Sequence, residues 1–342
     1  MCDSGNDAKI EAENPAVEKS FPWPAEKIRQ YTLDNTRLVE VKGHYFTRFV
    51  LWLLLGIVRS FSQKTSWRIG TFAGSLMHLL GIRRKEVMIN LDIVYGDKRT
   101  PAQKDAIYKG CMINLTRMAM NYLRIPLYDE SFWKNNIKIE NEQSLTDAYN
   151  KGKGVIILSM HYGAWEIAGG KFGMSGYPIS NIIKIMKNPA TERLLNDLRN
   201  AMNLGAIAHK GSVERIKEGL RRGEGIIMAI DQNMGKRYGV FVDWFGRPAS
   251  TIRSCAYLAK ETGATVVAGY SRQKSYDDIE IVVIGQIPWE SHPEDPEKEL
   301  YVNTRNYIAV FEKPIYREPE GWLWLHRRWK RQPEGMSNPY AK

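Results

Sequence analysis

Cysteine is scarce in this sequence: Cys2, Cys111 and Cys255 are the only three in 342 residues, and their spacing fits neither a CxxC pair nor a zinc site. That argues against a disulfide framework and a thiol-ligated metal, and it fits reduced thiols in a cytosolic environment. No basic segment followed by an apolar one precedes Cys2, so no secretory signal is read there. Long hydrophobic runs are missing too. The most apolar stretch, residues 49–58, lies between Arg48 and Arg59 and falls short of the ~20 residues that a spanning helix needs. There is no internal repeat and no glycine-rich nucleotide loop.

What is present is a chain that can bury a full core, with 43% hydrophobic residues. Its formal net charge of +11 combines −3 over residues 1–20 with +14 over the rest. A basic body suits an anionic partner: nucleic acid, a phospholipid surface, or an acidic carrier protein and phosphorylated substrates.

Residues 1–45 read as a mobile polar arm, charged and interrupted by Pro15, Pro22 and Pro24. Residues 46–85 read as a membrane-associating helical segment. Its aromatics (Phe46, Trp52, Trp67), the basic flanks of the apolar run and the Arg83-Arg84-Lys85 cluster fit a helix lying at an interface, while Gly70, Gly74 and Gly81 weaken a spanning one. A buried core helix is the competing reading. From residue 86 onward a single α/β domain is expected, opening with a helix over 101–122. Strands at 155–159, 179–185, 206–209 and 225–230 alternate with helices from Trp165, over 189–202 with Asn188 as N-cap, and over 212–222. That alternation predicts a mixed, mostly parallel sheet flanked by helices. A strand and turn over 239–249 should lead to a helix over 251–261 capped by Ser250, followed by strands at 265–270 and 279–284 and a helix over 296–311.

The motif that organises the chain is His161-Tyr162-Gly163-Ala164-Trp165-Glu166, placed where a buried β-branched strand ends. Within one helix His161 and Glu166 would stand about 140° apart. With His161 on the loop and Glu166 in the first helical turn, the two can meet. A carboxylate there can fix the imidazole tautomer and leave the outer nitrogen free to take a proton from a hydroxyl. A partly buried histidine beside an acid would give the same pattern. Asp231-Gln232 also stands at a strand end, where open parallel sheets collect ligands, so it is expected in the same cleft as His161. Arg247 and Arg253 lie around the predicted helix start, a position that favours anions. The tail, Trp322-Leu323-Trp324-Leu325-His326-Arg327-Arg328-Trp329-Lys330, interleaves aromatics with cations, as base stacking, a lipid headgroup layer or an inward-packed helix would each require.

In this order, together with Asn90-Leu91 and Gly239-Val240-Phe241-Val242 running to Phe245-Gly246-Arg247-Pro248-Ala249, these motifs resemble the late acyltransferases of lipid A biosynthesis, the lauroyl/myristoyl transferase family. The likeness runs from about Phe46 to Gly335 and leaves the first forty-five residues outside. It implies transfer of a fatty acyl chain from an acyl carrier protein thioester to a hydroxyl of the Kdo-bearing lipid A precursor, at the cytoplasmic face of the inner membrane. His161 would be the general base and Glu166 its orienting carboxylate. Asp231, Gln232, Arg247 and Thr251 would line the acceptor site, and Arg327 and Arg328 would meet phosphates or headgroups. Where the family commonly carries an arginine for the oxyanion, counting back along the chain finds Lys210, which cannot reproduce a bidentate arginine contact. No metal or cofactor is expected, and no Cys or Ser nucleophile is evident beside His161, which favours direct attack over a covalent intermediate. The partners expected are acyl carrier protein, the lipid A precursor and inner-membrane lipids, with no nucleic acid. The competing functions are the same transfer onto another glycolipid or aminolipid, a basic nucleic-acid-binding protein, and an inactive membrane scaffold.

Overall fold

The computed structural model describes residues 22–36 and 39–341. Six helices come first: α1 (Ala25–Asn35), α2 (Tyr45–Ser60), α3 (Gln63–Leu79), α4 (Arg84–Tyr95), α5 (Pro101–Leu123) and α6 (Glu130–Asn135). The alternating region follows as β1 (Ile137–Glu140), α7 (Glu142–Asn150), β2 (Val155–Ser159), α8 (Trp165–Met174), β3 (Ile179–Ile183), α9 (Pro189–Asn200), β4 (Gly205–Ala208), α10 (Val213–Arg221) and β5 (Gly225–Ala229). A hairpin of β6 (Gly239–Trp244) and β7 (Arg247–Ile252) leads to α11 (Ser254–Thr262), β8 (Thr265–Gln273), β9 (Ile279–Gln286), α12 (Pro296–Ala309) and α13 (Glu312–Arg317).

Seven strands form one sheet in the order β1-β9-β8-β2-β5-β3-β4, parallel throughout except for the β8–β9 pair. This is the mixed, mostly parallel sheet expected from the sequence. The run over β2 is continuously apolar because both faces are covered: Ile156 and Leu158 join one core cluster, Val155 and Ile157 the other. All strands neighbouring β2 on the β5 side run in its direction, so the loops after β2, β3, β4 and β5 gather along one sheet edge.

Three expectations need correction. The polar arm is not structureless over its described part, because α1 packs against β3 and β4 and buries Ile28, Tyr31, Thr32 and Asn35; Cys2 and the acidic residues 1–20 lie outside the described residues. Ser250 caps no helix. The Phe245-Gly246 turn has positive φ at both residues, suiting a two-residue hairpin, so Ser250 and Thr251 belong to β7 and α11 starts at Ser254. The tryptophan-rich tail is neither a helix nor a headgroup layer. It is a chain of turns with Trp322, Trp324 and Trp329 fully buried: Trp244 packs on Trp322 and Trp329 at ring-centroid distances of 5.2 and 5.7 Å, and Trp322 on Trp324 at 4.6 Å. Each such pair adds roughly 0.5–1.5 kcal/mol to its burial.

Among the described residues no helix is long and apolar enough to cross a membrane. In α2 only Val58 is buried, while Phe46 is 81% and Trp52 69% exposed, so the segment is not a core helix. On α3, Gly74 belongs to packing: a Cβ there would lie 2.5 Å from Ile113 Cα on α5.

Candidate active site

The β2–β5 register sets the site. Ser159 pairs with Ala229, the Ile230 N–H donates to the Ser159 carbonyl at 3.1 Å, and two residues beyond the pair His161 faces Asp231. The chain turns away after His161 because Gly163 adopts a φ of +59° and approaches β8 closely; a Cβ there would lie 2.1 Å from the Ser271 carbonyl oxygen. Its N–H donates to the Gly321 carbonyl at 2.9 Å, tying the motif to the tail. Helix α8 starts two residues later.

Asp231, 2% exposed, receives three donors. His161 gives its backbone N–H to Oδ2 at 3.0 Å and Nδ1 stands 2.9 Å from Oδ1, while the Trp322 indole N–H donates to Oδ2 at 2.8 Å. Burial alone would raise the Asp231 pKa; His161 and the donors outweigh it and hold the carboxyl below its usual range. In turn burial lowers the His161 pKa, but Asp231, with a smaller contribution from Glu166, carries it above 6.5. An ionised Asp231 accepts from Nδ1–H, so Nε2 is the ring nitrogen with the lone pair that can accept a proton. The Gln232 amide nitrogen lies 3.3 Å from Nε2, and Trp165 packs edge-on to the imidazole at 5.5 Å between centroids. The imidazole retains 25% side-chain exposure.

Glu166 does not orient His161 through a hydrogen bond. Its carboxylate is held by Arg199 of α9, with Nη2–Oε1 at 3.0 Å and Nε–Oε2 at 3.4 Å. Arg199 is itself buried and bonded to Asn196, whose amide reaches buried Glu192. Sequence reasoning missed Arg199. The available signal was its place on the polar–apolar boundary of an amphipathic helix, which does not disclose a partner on α8.

Of the other predicted residues, Gln232 joins His161, and the rest do not. Lys210 is exposed in the loop after β4, three strand spacings or roughly 14 Å from β2. Arg247 bonds to Gln332 and the Ser337 carbonyl, at the far end of the hairpin. Thr251 and Arg328 are fully buried and line no surface: the Arg328 guanidinium bonds the Thr251 hydroxyl, the Ser250 carbonyl at 2.6 Å and the Gln232 carbonyl at 3.2 Å. Burial drives the Arg328 pKa down to about 10. Arg327 is half-exposed and engages Glu86. Asn90 is buried and donates to the Trp324 and His326 carbonyls at 2.6 and 2.8 Å, so the early Asn-Leu dipeptide anchors the tail that frames the site.

Beside Trp165 an apolar cleft opens between the sheet and helices α7 and α8, lined by Leu145, Ile157, Ala168, Phe172, Val267 and Val283 among others. It extends from Ser271 to Val267 along β8, roughly 13 Å. The buried thiols of Cys111 and Cys255, both pushed up to about 12, belong to the opposite core cluster. The arrangement is a carboxylate-held imidazole, able to accept a hydroxyl proton, next to a cleft with a mostly apolar lining.

The profile of the bacterial lipid A biosynthesis acyltransferase family matches residues 36–331. The chain belongs to that family. It is therefore an acyltransferase with a lipid A precursor as the acceptor the family implies. The lipid A biosynthesis lauroyltransferase of Escherichia coli (strain K12) is 26% identical over 298 residues, covering 85% of this chain and 92% of that one. The lipid A biosynthesis palmitoleoyltransferase of the same strain is 25% identical over 217 residues, 61% of this acyltransferase and 68% of that one. The phosphatidylinositol mannoside acyltransferase of Mycolicibacterium smegmatis (strain ATCC 700084 / mc(2)155) is 22% identical over 166 residues, 47% of this chain and 54% of that one.

Proposed function

We propose that this acyltransferase moves a fatty acyl chain from an acyl carrier protein thioester to a hydroxyl of the Kdo-bearing lipid A precursor at the cytoplasmic face of the inner membrane. The observation that carries the reading is the 2.9 Å contact between His161 Nδ1 and Asp231 Oδ1. His161 Nε2 takes the proton of the acceptor hydroxyl as its oxygen attacks the thioester carbon, and the imidazolium then returns the proton to the departing thiolate. Asp231 fixes the tautomer and stabilises the imidazolium. Glu166 adds its field at longer range and is held in place by Arg199. The acyl chain lies in the cleft beside Trp165. No covalent acyl-enzyme is invoked.

The exposed apolar side chains of α2 and α3, among them Phe46, Trp52, Phe72 and Leu79, support seating on a lipid surface, with Arg48, Lys64, Arg68, Arg84 and Lys85 in or beside those helices facing anionic headgroups. Lys184, Lys187, Lys210, Lys236 and Arg237, on the loops after β3, β4 and β5, form no ion pair among the described residues and suit an acidic carrier or a phosphorylated acceptor.

The test is transfer from acyl carrier protein thioesters of graded chain length to the Kdo-bearing precursor, with product mass as readout and His161→Ala in parallel. One added acyl group, lost in the variant, is expected. Inactivity on every donor, or an active His161→Ala, rejects the assignment. A mannosylated lipid run as a second acceptor tests the reading favoured by the mycobacterial relative.

A further inference from the structure

Residues 231–233 at the end of β5 are gripped by the tail from four directions. The Trp322 indole donates to the Asp231 carboxylate, the Asn233 N–H donates to His326 Nε2 at 2.9 Å, Arg328 donates to the Gln232 carbonyl, and the Arg331 N–H donates to Asn233 Oδ1 at 3.1 Å. Only the first of these reaches a side chain that touches the proposed base. Trp322 is also fixed in place, 1% exposed, bridged to Tyr162 beside the base and packed against Trp244 and Trp324.

We infer that Trp322 is a positioning residue for His161, acting through Asp231. This deepens the general-base reading and rests on it. A carboxylate rotates about its Cβ–Cγ bond, and Oδ1 bonds Nδ1 squarely only while Oδ2 is held elsewhere. Two N–H groups hold Oδ2: the His161 amide and the Trp322 indole. The indole is the donor that arrives from another segment, so it fixes the carboxylate relative to the tail as well as to β2. It also takes up negative charge from Asp231. Without it, the charge left for the imidazolium grows and the carboxylate is freer to turn. The charged and titratable groups around the pair are Glu166 on α8 and His326 and Arg328 in the tail, and all three are retained in the test.

The experiment uses the full chain in detergent with two replacements at position 322: Trp322→Phe, and benzothienylalanine, in which sulfur replaces the indole N–H at nearly unchanged shape. kcat and KM are measured separately against pH, and the His161 pKa is read by NMR on histidine-labelled protein. Both replacements should raise the His161 pKa, move the acidic limb of the kcat profile to higher pH by the same amount, and lower kcat roughly tenfold with KM held. The benzothienyl form serves if the phenylalanine variant fails to fold. Loss of stability with an unmoved His161 pKa would make Trp322 a packing residue and overturn the inference, as would an equal loss in kcat and KM without a pH shift. If wild type transfers no acyl group, the functional reading fails on its own, and the NMR titration still decides the position of Trp322.

Discussion

His161 and Asp231 are seventy residues apart in sequence, yet Nδ1 and Oδ1 meet at 2.9 Å because β2 and β5 are adjacent and in register. The pairing gives each carboxylate near the base a separate part. Asp231→Asn should lower kcat by roughly 100- to 10,000-fold, the range spanned by general-base assistance and tautomer control, with the fold retained by circular dichroism. Activity near wild type would remove Asp231 from the mechanism.

The pH profile tests which carboxylate governs the base. The base must be neutral, and the His161 pKa is raised above 6.5, so kcat/KM should climb with pH to a half-maximum above that value. In Asp231→Asn burial becomes the larger influence and the midpoint falls. Glu166→Gln removes a lesser influence and unpairs Arg199, so any rate loss there should come with a smaller displacement. The opposite ranking would restore Glu166 as the orienting group.

Arg328→Lys keeps the charge but not the fork that bonds Thr251, Ser250 and Gln232. One ammonium cannot reach all three acceptors, and a buried acceptor left unpaired costs about 1–3 kcal/mol. A loss of about 2–3 kcal/mol in denaturant unfolding is expected; a change under about 0.5 kcal/mol would mean these bonds contribute little.

His326 predicts an acid-labile tail. Burial holds its pKa down to about 4, and the neutral ring accepts the Asn233 N–H. Because the folded value lies below the unfolded 6.5, the stabilisation is present above 6.5 and is lost as the pH falls through 6.5 toward 4. At most about 3 kcal/mol is involved. His326→Gln should be less stable than wild type at neutral pH and converge with it near pH ~4; a gap that is constant with pH would contradict this.

The cleft predicts chain-length control. Leu145 of α7 lines it, and Leu145→Ala should shift the preferred donor toward longer chains while lowering stability by about 2–5 kcal/mol. An unchanged product distribution would place the acyl chain elsewhere.

The sequence by itself determined the elements and the residues to watch. The β-branched run ending in His161, the Asn188-Pro189 helix start and the apolar strand before Asp231 are local signals, and local signals fix local structure: β2 spans 155–159 as read, and α9 begins at Pro189 as read. Family membership was legible for the same reason, since motif order is a property of the chain. Partners were not. Whether His161 bonds Glu166, five residues away, or Asp231, seventy away, depends on which strand neighbours β2, and hydrophobic pattern does not encode strand order. Likewise Arg328 and Thr251 read as surface ligands until the hairpin and the buried tryptophans enclosed them. The tertiary structure decided these points, because long-range contacts follow from how the faces of a sheet are covered.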